Sequence, residues 1–263
     1  MNIILSYNKA HQIFFEKYFM PSFKDKFKLY VSKIDHDDEM KISNFSGNKW
    51  KHDKIFNFYE CKRIEFIISI LKENLDGIFF YLDVDIQFLK PIETEVFNLI
   101  NDKDLLFLKG GSSGINLGGI VIKSNSKTIN FFQRFRDLCI KDNHKRGIQK
   151  ILKDSKLLND HPQNPILEND FLLKWDYLPE KKFSCGHMVS YSSKFRLWKK
   201  IPQSIMLHHA NGTTGKDNKI AQLEYVKQNY KNISSIFYKM KRLKDSMIFY
   251  IKRKELLYSK YKS

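Results

Sequence analysis

Alanine, arginine and cysteine are scarce in this 263-residue chain. The three cysteines, Cys61, Cys139 and Cys185, are odd in number, widely spaced and in no C-x-x-C arrangement. That argues against both a disulfide scaffold and a zinc cluster, and a reducing compartment fits best. No stretch reaches the roughly eighteen apolar residues that a membrane-spanning helix needs. The opening Met1-Asn-Ile-Ile-Leu-Ser-Tyr7 has no basic n-region and only a short apolar run, so a first strand is expected there and not a signal peptide. The expected location is the cytoplasm, where the Asn-x-Ser/Thr triplets at Asn44, Asn211 and Asn232 stay unmodified. The absence of an internal repeat excludes a solenoid.

Basic residues, by contrast, are abundant, and the net charge of +17 invites a nucleic-acid reading. Two observations weaken it. Of 46 basic residues only 7 are arginine, and alanine occurs only at Ala10, Ala210 and Ala221, a pattern of AT-rich coding sequence that inflates lysine without selection for an acidic partner. The charge is also uneven: from Lys227 to Ser263 there are 11 basic and 2 acidic residues, which is more than half of the net total. No nucleic-acid partner is therefore expected. The segment from Asn218 onward reads as helical and basic, with interleaved aromatics such as Tyr225, Tyr230, Phe237 and Tyr250. It either touches an anionic membrane peripherally or packs on the domain with a solvated basic face.

The remaining pattern alternates strands and helices. Asn2–Ser6, Lys28–Ser32, Ile78–Leu82, Leu105–Lys109 and Gly118–Lys123 read as strands, with short ones at Val189 and Ile205–His208. Helices are expected at Ala10–Phe19, Ile55–Asn74, Thr128–Asp142 and Asn169–Trp175. The stretch Asp35–Asp53 reads as a loop. Such alternation implies an α/β fold with a mostly parallel sheet flanked by helices. The expected division is a catalytic domain over residues 1–220 and a basic, aromatic-rich helical extension over 221–263.

The most informative local feature is Asp83-Val84-Asp85, delivered by the uninterrupted apolar strand Ile78–Leu82 and closed by Pro91. Two carboxylates at the exit of a buried strand repel each other and lose hydration, so something must compensate them. A divalent cation is the simplest compensator, with its remaining positions left to water and phosphate. Ligands of open α/β sheets bind at this end of the strands. Downstream come Gly114-Ile-Asn-Leu-Gly-Gly119, then Glu168-Asn-Asp170, and finally Leu207-His-His-Ala-Asn-Gly-Thr-Thr-Gly-Lys216.

This order of motifs, over roughly residues 2–220, resembles the nucleotide-diphospho-sugar transferases, glycosyltransferases of the GT-A fold. The resemblance implies that Asp83 and Asp85 form the metal-binding D-x-D, with His209 as third ligand in preference to the adjacent His208. It implies Mn²⁺ or Mg²⁺ as cofactor and a nucleoside diphosphate sugar, foremost a UDP-sugar, as donor. Asn116, Gly118 and Gly119 match the segment that approaches the donor sugar, although glycines there also suit a turn between two strands. Gly212 and Lys216 match the late loop whose lysine meets the phosphates, with Lys219 as competitor. Lys62 or its neighbour Arg63 matches a basic residue that reaches the pyrophosphate. Ser6, Tyr7 and Asn8 match the nucleotide-holding end of the first strand, with Tyr7 expected to stack on the base.

Asp170, with Glu168 beside it, matches the position of an acidic residue next to acceptor and donor sugar, though the usual Asp-Gln dipeptide is absent; a simple helix cap is the alternative. The implied activity is sugar transfer to a hydroxyl of a glycan, lipid-linked or protein acceptor, with a lean towards retention of configuration. Two other readings stay open. A metal-dependent phosphodiesterase or nuclease would need more clustered acids, and a non-catalytic nucleic-acid-binding protein would be indifferent to Asp85.

Overall fold

The computed structural model describes residues 1–34, 49–110, 114–142, 147–155, 157–158, 173–192, 196–213, 215–230, 244 and 247. Its core is a six-stranded sheet of β1 (Asn2–Asn8), β2 (Lys28–Ile34), β3 (Ile78–Leu82), β5 (Leu105–Lys109), β6 (Ile115–Lys123) and β7 (Trp175–Tyr177), in the spatial order β2-β1-β3-β6-β5-β7. Only β6 runs against the rest. The mostly parallel sheet expected from the sequence is thus present.

The apolar run of β3 is explained by its place. It lies between β1 and β6, and Phe79, Phe80 and Leu82 have no exposed surface. Each such side chain contributes about 1.5–3 kcal/mol relative to leaving it in water. One face of the sheet is covered by α1 (Lys49–Glu73), α3 (Ser126–Lys141) and α4 (Ile148–Asp154), whose Cys61, Ile64, Ile68, Phe132, Phe135 and Ile151 share a core with Phe79 and Phe107. Asn125 caps α3 by accepting from the Thr128 N–H at 3.0 Å.

The other face carries the helical stretch that follows β1, α2 (Glu93–Ile100) and part of α5 (Lys216–Asn229). It also carries a small sheet of β4 (Ile86–Phe88), β11 (Leu207–His209) and β8 (Phe183–Cys185), in the order β4-β11-β8. A two-stranded hairpin, β9 (Ser190–Ser192) with β10 (Leu197–Trp198), lies beyond a helical turn at Gly186–Val189.

Several expectations need correction. The first helix is not regular: it passes through a 3-10 turn (Lys9–His11), an α turn (Gln12–Phe14), a π-helical segment (Phe15–Phe19) and a last α turn (Met20–Ser22). It runs on past Pro21, which lies in that last turn. Trp175 lies in strand β7, where it pairs with Leu105, and not in a helix. Val189 closes a helical turn and not a strand. α1 begins at Lys49, inside the stretch read as a loop. α5 runs unbroken across residue 220, with Leu223, Tyr225 and Val226 buried; of the segment expected as an extension, 231–243, 245–246 and 248–263 lie outside the described residues.

Candidate functional site

Asp83-Val84-Asp85 is the link between the two sheets, since β3 ends at Leu82 and β4 begins at Ile86. Val84 is buried in the core between the two aspartates. Two registers then fix the surroundings. β3 pairs with β6 so that Leu82 faces Gly119, and the Asp83 N–H donates to the Gly118 carbonyl at 2.8 Å. β4 pairs with β11 so that Ile86 faces His209, and the Ala210 N–H donates to the Asp85 carbonyl at 2.9 Å. Residues 83, 85, 118 and 209, far apart in sequence, meet at one point.

There His209 Nε2 lies 3.5 Å from Asp83 Oδ2 and 3.2 Å from Asp85 Oδ1. One ligand atom from each of these three residues falls within 4.8 Å of the others. The outer oxygens are engaged separately: Arg63 Nη2 is 3.0 Å from Asp83 Oδ1, and Lys219 Nζ is 2.5 Å from Asp85 Oδ2. Tyr81 donates its hydroxyl to Asp83 Oδ1 at 3.3 Å. Arg63 also pairs with the buried Glu60, one helical turn earlier.

Electrostatics follow from this packing. Burial alone would raise the Asp85 carboxyl, but the imidazolium of His209 and the ammonium of Lys219 more than reverse that and hold it far below the usual carboxylate range. Burial would lower His209, yet Asp85 and the hydrogen bonds to both aspartates hold it well above the ordinary histidine value. Burial pushes the Glu60 carboxyl up to about 7, against the pull of Arg63.

These groups line a cavity of about 530 Å³. His11, Asn116, Gly118, His187, Gly212 and Thr213 form further parts of its wall. Asn116 Oδ1 accepts from the Gly118 N–H at 2.8 Å, and its amide nitrogen lies 3.4 Å from His209 Nδ1. His187 Nε2 is 2.9 Å from Glu180 Oε1, a carboxylate that Lys109 approaches at 3.3 Å from its other oxygen.

Of the residues singled out from the sequence, Asp83, Asp85, His209, Asn116, Gly118 and Gly212 meet at the cavity. Several do not. Lys62 projects outward to Glu65 at 3.0 Å with its side chain half exposed, because the helix can turn only one of two adjacent residues inward, and it turns Arg63. Lys216 is exposed in the first turn of α5, and Lys219, three residues further along the helix, faces Asp85 instead. Gly119 packs against Leu108 on the opposite side of β6. Tyr7 is buried and stacked on Phe15 with ring centres 4.8 Å apart, so its ring is already occupied. Ser6 is buried within β1, and Asn8 caps the 3-10 turn, leaving His11 to line the cavity. Glu168 and Asp170 lie outside the described residues.

Glu60, His11 and His187 were missed. For Glu60 a signal existed: its i, i+3 spacing to Arg63 puts both on one helix face.

His208 is a structural residue. It points away from the aspartates, with Nδ1 2.8 Å from Ser184 Oγ and Nε2 3.2 Å from Gln222 Oε1, and its surface is fully buried. Burial, aided by the neighbouring His209 charge, lowers its pKa to about 3. A folded-state value below the unfolded one stabilises the neutral form above about pH 6.5 and loses that stabilisation as pH falls. Between pH 7.5 and 5.0 this group alone should remove about 2 kcal/mol of stability. Urea melts at the two pH values check this: His208→Asn should flatten the pH dependence by that amount.

The donor set fits a divalent cation. Two carboxylate oxygens and one imidazole nitrogen converge, and the nitrogen suits Mn²⁺ somewhat better than Mg²⁺. Gly118 leaves room for the set, because a Cβ there would lie 2.2 Å from His209 Cε1 and 2.7 Å from Asp83 Oδ2.

Comparison with known proteins agrees with this geometry. Residues 25–223 match the family model described as nucleotide-diphospho-sugar transferase. No curated protein matches the chain by sequence. Among solved structures, a glycosyltransferase involved in glycosylation of the major capsid of PBCV-1 superposes with a TM-score of 0.52 at 11% identity, covering 87% of this chain and 100% of that one. The apo form of the glycosyltransferase GlyE of Streptococcus pneumoniae TIGR4 superposes with a TM-score of 0.51 at 14% identity, covering 88% of this chain and 61% of that one. The chain thus spans about three fifths of GlyE. The shared architecture is the GT-A fold.

Proposed function

The chain belongs to the nucleotide-diphospho-sugar transferase family, and on that premise we propose that it transfers a glycosyl group from a nucleoside diphosphate sugar to an acceptor hydroxyl. The observation that carries this reading is the convergence of Asp83, Asp85 and His209 in a cavity whose wall also holds two cations, Arg63 and Lys219. The three convergent residues would hold Mn²⁺ or Mg²⁺, which when bound neutralises the diphosphate and eases its departure as a leaving group. His209 must give up its proton to serve as a ligand.

Arg63 and Lys219 have the charge and the position to contact the donor's phosphates and sugar. His209 turns Nε2 to both aspartates, so Nε2 is the nitrogen that would face the metal. Gly118 keeps the floor of the site flat enough for the donor to approach. The carboxylate beside the reacting sugars is assigned to Asp170, in the resembling family's manner, with retention of configuration and a UDP-sugar as donor. A glycan, lipid-linked or protein acceptor fits the reaction equally. No helix among the described residues is long and apolar enough to cross a membrane. Peripheral contact of the basic tail with anionic lipid belongs to the same proposal.

Isothermal titration with UDP, GDP and CMP, each with and without Mn²⁺, tests the reading. UDP is expected to bind only when Mn²⁺ is present. Absence of any metal-dependent nucleotide binding would sink it.

A further inference from the structure

We infer that Lys219 is a tethered counter-ion, which balances Asp85 in the donor-free protein and moves to the donor diphosphate when metal and nucleotide bind, thereby coupling the two binding events; this rests on the transferase reading above. The pairing of the aspartates is the starting point. Before any metal arrives each is already engaged by a basic side chain: Asp83 by Arg63, which Glu60 also holds, and Asp85 by Lys219. A divalent cation entering alone would meet an ammonium bonded to one of its own ligands, in a place where the Asp85 side chain is only 4% exposed and screening by salt is weak.

The groups around the two aspartates differ in how firmly they are held. Arg63 is gripped on two sides, by Glu60 and by Asp83, and projects from the long helix α1. His209 is fixed by its strand register. Lys219 stands in the first turn of α5, just after a loop that turns through Gly212 and Gly215, both at positive φ. Its ion-pair partner among the described residues is Asp85, its side chain is 24% exposed, and it lines the cavity. It is the cation with both freedom and somewhere to go. A diphosphate brings two or more negative charges and strong acceptor oxygens, to which a lysine readily transfers. That transfer frees Asp85 Oδ2 and removes the positive charge that opposed the metal. Each ligand then raises the affinity of the other by the same factor, as linkage requires.

The test is direct titration of free Mn²⁺, followed by its electron paramagnetic resonance signal, on the full chain with and without saturating UDP. Wild-type protein should bind Mn²⁺ at least about 30-fold more tightly when UDP is present. Lys219→Met should bind Mn²⁺ alone about tenfold more tightly than wild type, while the tightening by UDP falls by about the same tenfold factor. Lys219→Gln should behave in the same way and guards against misfolding of the first variant, which thermal melts would reveal. Lys227→Met, an exposed neutralisation at the far end of α5, should change nothing. If folded Lys219→Met and Lys219→Gln bind Mn²⁺ with wild-type or weaker affinity and keep the full UDP effect, the coupling role is wrong and the transferase reading stands. If wild-type protein fails to bind Mn²⁺ even with UDP, both fall together.

Discussion

Asp85→Asn should abolish Mn²⁺-dependent UDP binding and lower sugar transfer by about 1,000-fold, equivalent to about 4 kcal/mol of transition-state stabilisation. The size follows from position. Asp85 is buried, its inner oxygen faces His209 at 3.2 Å, and its outer oxygen is the partner of Lys219. An amide there removes one metal ligand and also presents an N–H₂ where an acceptor is needed. Asp83→Asn should be milder, about 10- to 100-fold, because Asp83 is 21% exposed and stands 3.5 Å from the imidazole, so water can substitute for it more easily.

The fold of the Asp85 variant should survive. Losing one partner of a buried pair is usually costly, but Lys219 can turn to solvent and His209 can shed its proton once the carboxylate is gone. The loss of stability should stay near 1–2 kcal/mol, less than for a fully trapped charge. Titration calorimetry with UDP and Mn²⁺, beside a urea melt of the same sample, separates the two effects. An Asp85→Asn protein that is folded and still binds UDP through Mn²⁺ would remove Asp85 from the site.

The convergent aspartates were legible because their chemistry is costly wherever it is buried. Two aspartates at the end of an apolar strand need a partner, whatever the fold. The strands themselves were legible for a related reason: runs such as Ile78–Leu82 and Leu105–Lys109 lie inside the main sheet and alternate little, so composition alone marks them. What the sequence did not yield is direction around a helix and between sheets. Lys62 and Arg63 are chemically alike, and only the packing of α1 on the sheet decides that Arg63 turns inward to Glu60 and Asp83. Lys216 and Lys219 pose the same question one turn apart, and the packing of α5 answers it by turning Lys219 to Asp85 and leaving Lys216 exposed.

Tyr7 illustrates another limit. An aromatic at a strand end suits a nucleotide base, but it equally suits a neighbouring ring, and Phe15 lies within reach only because the helix after β1 folds back over it. His187 carried no motif, and it reaches the cavity through a helical turn packed on the small sheet. Such residues are placed by tertiary contacts, for which local pattern holds no record.

The adjacent glycines of β6 offer a sharper separation of site from scaffold than any charge does. Gly118 and Gly119 are neighbours on one strand and therefore face opposite sides of the sheet. A methyl group on Gly118 would lie 2.2 Å from His209 Cε1, 2.7 Å from Asp83 Oδ2 and 2.9 Å from His209 Nδ1. Both residues are held by backbone registers, so the methyl must push the imidazole off its place between the aspartates. Gly118→Ala should therefore weaken Mn²⁺ binding by at least about 100-fold, the upper end of what a misplaced ligand shell costs.

A methyl group on Gly119 would instead meet Leu108 Cδ1 at 2.4 Å and Leu108 Cγ at 2.7 Å, deep in the opposite core. There the cost is overpacking, about 1–3 kcal/mol of stability, with Mn²⁺ affinity of the folded protein kept within about threefold of wild type. A pair of single substitutions at adjacent positions should thus give opposite outcomes, one losing metal and the other losing stability. Mn²⁺ titration and urea denaturation of both variants read the two quantities side by side. Equal effects on metal binding would mean that the imidazole is free to move, and that the Asp83–Asp85–His209 geometry is set by the ligand and not by the strand registers.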